Sequence, residues 1–173
     1  MLKEFRHPDR CVVGTVGEPG RRLFLIQVAQ GHSIAAVAVE KEQAQLLGRR
    51  LTEILDQLAA LGEPIPDAHE PRDMGPLDAP LSVDFRAGAI GLAWDAGRMA
   101  AQIELFPLEE SDFETDTTLV QIWLTPSKAR EFAARAEAVV ASGRPTCPVC
   151  AQPLGPEGHI CPRANGYRSR LFP

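Results

Sequence analysis

The feature that most constrains this chain lies near its end. It reads Cys147-Pro148-Val149-Cys150 and, after a short spacer, His159-Ile160-Cys161-Pro162. Cysteines three positions apart can turn both sulfurs toward one point while backbone amides bond to them. His159 and Cys161 are two apart, so extended backbone points both side chains the same way. The spacer holds Pro153, Gly155, Pro156 and Gly158, which can reverse the chain between the pairs. Three thiolates and an imidazole fill a tetrahedral shell, so the spacing predicts a structural zinc site built from Cys147, Cys150, His159 and Cys161. A catalytic zinc would need a position left open. A redox Cys147–Cys150 dithiol is the competing reading. Such a dithiol normally sits between a strand and a helix N-terminus, whereas prolines and glycines surround this one.

The remaining cysteine, Cys11, stands alone in a β-rich run and reads as a small buried residue. A disulfide framework would need pairs spread along a short secreted chain. The N-terminus, Met1-Leu2-Lys3-Glu4-Phe5-Arg6-His7, lacks the apolar segment of a secretion signal. The longest apolar runs, such as Ile34 to Val39, are too short for a membrane span. A cytoplasmic protein is the expectation.

Charge separates the tail from the rest. From Gly143 onward, Arg144, Arg163, Arg168 and Arg170 face Glu157 alone, which leaves +3 there and −8 elsewhere in a chain of net −5. An acidic body is a poor polyanion binder. The basic tail is expected to fold back on the body, and nucleic acid to bind weakly and only at low salt.

The body, residues 1–143, reads as an α+β domain of two similar halves, about 1–62 and 81–143, joined by a Pro-rich connector at 63–80. Residues 144–173 form the small C-terminal zinc module. In the first half, strands at Cys11–Val16, Arg22–Val28 and Ile34–Val39 are separated by the turns Gly17-Glu18-Pro19-Gly20 and Gln30-Gly31-His32-Ser33. A helix follows from Lys41 to Leu61, with Ala44, Leu47, Leu51, Ile54, Leu55 and Leu58 on one stripe. Pro64, Pro66, Pro71, Pro76 and Pro80 then make a connector long enough to cross the body. In the second half, strands are expected at Leu81–Arg86, Ala89–Trp94, Arg98–Phe106 and Thr118–Leu124. Thr125-Pro126 starts a second helix, running to Ala141 with Ala129, Phe132, Ala133, Ala136, Val139 and Val140 as its stripe. The expected fold is therefore two antiparallel sheet-plus-helix halves packed pseudo-symmetrically.

The segments Gly14-Thr15-Val16-Gly17-Glu18-Pro19-Gly20-Arg21-Arg22 and His159-Ile160-Cys161-Pro162-Arg163-Ala164-Asn165-Gly166-Tyr167 resemble an actinobacterial protein family of unknown function. The resemblance spans essentially the whole chain and implies a zinc-ribbon-like C-terminal tail. It implies no catalytic residues.

Other constellations read as structure. Gly14 to Gly20 lacks the Gly-Lys-Ser/Thr of a phosphate loop and no helix follows it. His7, Asp9 and Cys11 are too close together, across Pro8, for a nucleophilic triad. His32 and His69 read as surface residues. The acidic run Glu109 to Asp116 lacks the calcium-loop glycine and reads as a solvated loop or a docking surface for a basic partner. Trp94 and Trp123 read as core, since no basic residues interleave with them. No catalytic residue emerges, and the expected function is a non-enzymatic adaptor or regulator with a protein partner. Nucleic-acid binding through the Arg-rich tail, or an enzyme whose cleft forms only in three dimensions, are the alternatives.

Overall fold

The computed structural model describes residues 1–18, 20–108, 118–143, 147–150, 152, 154 and 158–163. The acidic run 109–116 and the residues Arg168, Arg170, Leu171 and Phe172 lie outside them. Among the described residues the elements run β1 (Leu2–Phe5), β2 (Arg10–Val16), β3 (Leu23–Gln30), β4 (Ser33–Val39), α1 (Lys41–Ala60), β5 (Phe85–Asp95), β6 (Ala100–Pro107), β7 (Leu119–Leu124) and α2 (Pro126–Ala141). Both helices start on local signals. Glu40 and Gln43 form a reciprocal capping box for α1, and the Thr125 hydroxyl accepts from the Lys128 amide at α2, with proline in the first turn.

Two meanders, β2-β3-β4 and β5-β6-β7, are each antiparallel and each followed by a helix. They join through parallel pairing of Val37 with Phe85, giving one sheet of order β1-β7-β6-β5-β4-β3-β2. Of the strand expected at Leu81–Arg86 only Phe85 and Arg86 form, and they run on into the strand expected at Ala89–Trp94 as one. β5 starts beside β4, breaks register between Ala87 and Ala89, and continues beside β6. The bulge lets a single strand serve both meanders. β1, which carries little β signal in the sequence, pairs in parallel with β7.

That last pairing curls the sheet. β1 and β2 stand at opposite ends of the strand order, yet only residues 6–9 separate them. Five Cα steps reach at most about 17 Å, whereas a flat sheet of this order would be about 29 Å wide. The ends must therefore approach each other. Lys3 Nζ of β1 accordingly reaches Asp84 Oδ1 beside β4, at 2.5 Å. In effect β1 and β2 form one interrupted strand that repeats the plan of β5: a short parallel start, a break, then an antiparallel run.

The two halves superpose in register. Val13, Ile26 and Val37 align across β2, β3 and β4, as Leu92, Ile103 and Ile122 do across β5, β6 and β7. Each helix begins four residues after the last of these, so α1 position 44 corresponds to α2 position 129. The buried residues obey the correspondence: Ala44 with Ala129, Leu47 with Phe132, Leu51 with Ala136, Leu55 with Val140. At the helix crossing Gly48 lies against Ala136, where an added Cβ would sit 3.1 Å from the Ala136 methyl. Small residues let the two backbones approach there.

The connector is an ordered strap. Arg130 Nε donates to Pro66 O at 2.9 Å, and the Arg72 and Asp73 amides donate to Glu131 Oε1 at 2.7 and 2.8 Å. Arg135, only 3% exposed, donates to Val13 O, to the backbone and side chain of Asp73, and to Gly75 O. The strap then rounds β2. Arg10 binds Asp73, Leu77 lies over Gly14 where a Cβ would be 2.5 Å from its side chain, and Gln27 exchanges bonds with the Asp78 backbone. A proline-rich segment has few donors and many carbonyls, which suits binding by arginines.

Two expectations follow. Arg10, aided by the Gly75 amide and nearby Arg135, holds the Asp73 carboxyl at about 2 against an ordinary 3.8. Because the folded value lies below the unfolded one, this contribution is complete above about pH 4 and disappears as pH falls toward about 2. The protection of amides 73–75, relative to their intrinsic exchange rates at each pH, should fall across that window, and Asp73→Asn should remove the dependence; unchanged protection at pH 2 would contradict it. Separately, burial pushes the Cys11 thiol up to about 12. Iodoacetamide at pH 8 should modify Cys11 only in unfolded protein, as read by mass spectrometry.

Candidate metal centre

The tail's chemistry begins with its turn. The Cys147 amide donates to Gln152 O at 2.8 Å, which closes the loop carrying Cys147 and Cys150. Further along, Gly158 takes φ +79° ahead of His159, a conformation that glycine adopts without steric cost. Arg163 Nη1 ties back to Val149 O at 3.4 Å. These local bonds bring the two pairs together. The donor atoms of Cys147, Cys150, His159 and Cys161 all lie within 4.8 Å of one another.

The edges of this cluster are informative. Cys147 Sγ and Cys161 Sγ are 3.8 Å apart, and Cys150 Sγ and His159 Nε2 are 3.3 Å apart. A disulfide would require about 2.05 Å, and all three cysteines are free. Tetrahedral bonds of about 2.3 Å to sulfur and about 2.05 Å to nitrogen predict edges of about 3.8 Å between sulfurs and about 3.6 Å from sulfur to nitrogen. The Cys147–Cys161 edge matches that shell and the Cys150–His159 edge is slightly short of it, so the cluster is compatible with a metal ion. Cys147 and Cys161 are buried, while Cys150 and His159 are half-buried.

Electrostatics prepare the site for a cation. The Cys150 and Val149 amides bond to the Cys147 sulfur and hold its thiol at about 6. Bonding to Cys161 and then the charge of Cys147 raise His159. At Cys150 the Gln152 amide favours the thiolate, but burial and the neighbouring sulfurs outweigh it and the thiol is raised. Three sulfurs this close repel as anions unless a cation lies between them.

The remaining candidates disperse. Cys11 is buried, His7 and His32 are exposed, and the Asp9 carboxylate accepts from the Gly31 amide. His69 does have a carboxylate near it, contrary to its reading as a plain surface residue. Its Nδ1 lies 3.6 Å from Glu131 Oε2, because the strap carries it onto α2. The groove there, lined by His69, Arg72, Asp73, Ser127, Lys128 and Glu131, has both carboxylates engaged: Glu131 accepts strap amides, and Asp73 of the strap accepts from Arg135 and Arg10. Trp123 is buried, as expected, but folding brings Arg6 and Arg98 to 5.9 and 5.6 Å from its ring centre. Neither arginine is near it in sequence. Among the described residues no helix is long and apolar enough to cross a membrane.

Comparison with curated proteins and with solved structures gives no match. A family match extends from β1 to the last of the four clustered donors: the chain belongs to the family described as Protein of unknown function (DUF3090), which matches residues 3–161.

Proposed function

We propose that this chain is a cytoplasmic zinc protein without catalytic activity, an adaptor or regulator that acts by binding another protein. The observation that carries the reading is the closed donor set. Cys147, Cys150, His159 and Cys161 can supply four protein ligands, and a tetrahedral ion held by all four would have no place left for water or substrate. Zinc suits three thiolates and an imidazole better than the oxygen-seeking cations do. Free thiols in such a cluster belong in a reducing compartment. The zinc-ribbon character implied by the resemblance agrees with this. Arg163 is the tail's described arginine beside the cluster, and it is committed to Val149 O, which favours a protein partner over nucleic acid.

Elemental analysis of protein purified without chelator should give one zinc per chain. X-ray absorption should give bonds of about 2.3 Å to sulfur and about 2.0–2.1 Å to nitrogen. Metal well below one equivalent, with Cys147 and Cys150 disulfide-linked in fresh material, would replace this reading with a redox dithiol.

A further inference from the structure

The internal repeat places two equivalent grooves on the body, and one is filled. Between α2 and β2 lies the chain's own connector, gripped by Arg135 beside Val13. The register equates Arg135 with Arg50 and Val13 with Leu92. The counterpart groove therefore lies between α1 and β5. It is a cavity of about 280 Å³ lined by Gln43, Leu46, Leu47, Arg50, Ile90 and Leu92.

Its residues are poised as those of the filled groove would be without the strap. Val13 is fully buried, whereas Ile90 and Leu92 are half-exposed. The Arg135 side chain is 4% exposed and that of Arg50 62%, with Glu53 on its own helix as the carboxylate it meets. Leu46, 46% exposed, replaces Glu131, which in the filled groove accepts two amides of the strap. Among the described residues, β5 pairs with β4 only at Phe85 and Arg86 and beyond them with β6, while Gln43 Nε2 donates to the Ala87 and Gly88 carbonyls. The groove thus offers strand backbone without a partner strand on that side, an apolar floor and an exposed guanidinium whose carboxylate partner, Glu53, comes from its own helix.

We propose that the α1/β5 groove receives an extended, acidic, proline-containing segment of a partner protein, held as the α2/β2 groove holds the connector. The occupant's chemistry follows from the lining. Carbonyls and a carboxylate would meet Arg50, as those of Asp73 and Gly75 meet Arg135, and an apolar side chain would rest on Leu46, Ile90 and Leu92. The chain's own tail is the poorer candidate on charge, because its residues from 143 onward carry +3. This deepens the adaptor reading and rests on it for the existence of a partner, while being independent of the metal centre.

The test uses the full chain and, as probe, a synthetic peptide of residues 65–78, whose equivalent site is known. It carries Asp67, Glu70, Asp73 and Asp78 against Arg72. Titration into isotope-labelled protein should give saturable amide shifts at Leu46, Arg50, Ile90 and Leu92. Arg50→Glu and Leu46→Asp, both at exposed helix positions, should each weaken binding at least tenfold, while Leu61→Ala should not. The proposal is overturned by the absence of saturable shifts, or by shifts confined to α2 and β2, where the peptide would merely displace the connector. Concentration-dependent dimerisation protecting the groove would assign it to a second copy instead. Protection lost on deleting residues 164–173 would assign it to the tail. Zinc content measured on the same samples separates failure of the groove from failure of the zinc reading.

Discussion

Cys150→Ser is expected to release the metal and unfold residues 147–163 while both helices of the body persist. Binding of zinc to a module of this size contributes on the order of 10 kcal/mol of folding free energy. The tail has little else to hold it. Val149 and Ile160, two of its few apolar side chains, are 49% and 84% exposed. The body has its own core, with Leu51, Leu55, Ile103, Ile122 and Phe132 fully buried. Far-UV circular dichroism should therefore lose little helix, and the main thermal transition should shift by only a few degrees, while exchange protection at the Cys147 and Gln152 turn disappears. Retention of one equivalent of zinc with a protected tail would remove Cys150 from the ligand set. Collapse of the body together with the tail would show that the two fold as one unit.

Arg135→Ala should be among the most damaging single changes in the body outside its apolar core, because each buried carbonyl left without its donor costs about 1–3 kcal/mol. The substitution removes the Arg135 donors to the Val13, Asp73 and Gly75 carbonyls and leaves the Asp73 carboxylate to Arg10 and the Gly75 amide. Burial lowers the Arg135 pKa, and the charge of Asp73 opposes that, so the pair depends on both members. The same substitution at the equivalent position, Arg50→Ala, should cost under about 1 kcal/mol, because that side chain is exposed. Denaturant unfolding of both variants checks the contrast. Equal effects would mean that the strap contributes nothing to stability beyond what a surface ion pair does.

Much of the local structure was legible because it rests on short-range signals. The helix from Lys41 follows from apolar residues at intervals of three and four. The second helix follows from Thr125-Pro126, and its predicted stripe of Ala129, Phe132, Ala133, Ala136, Val139 and Val140 is buried in full. The four clustered donors were equally readable, since ligand spacing within a loop is a local property. What periodicity could not show was burial of a charge. Arg130 and Arg135 flank that stripe, and both are under 5% exposed. Their partners include carbonyls of the connector, some sixty residues earlier in the chain, with Val13 O of β2 and the Asp56 carboxylate of α1 besides. The one hint was compositional: a segment with five prolines has acceptors to satisfy and few donors of its own.

The sequence by itself determined where helices start and stop, which faces are apolar, and which four side chains can share one ion, because each depends on neighbours within a few positions. Tertiary structure alone decided that β1 closes the sheet against β7, that β5 serves both meanders, and that Arg6 and Arg98 flank Trp123. Those outcomes depend on pairings between segments far apart in sequence, each chosen in competition with other strands of similar pattern. The same holds for the two grooves. Arg50 and Arg135 are the same residue at equivalent positions, and only the path of the connector makes one a buried clamp and leaves the other facing solvent.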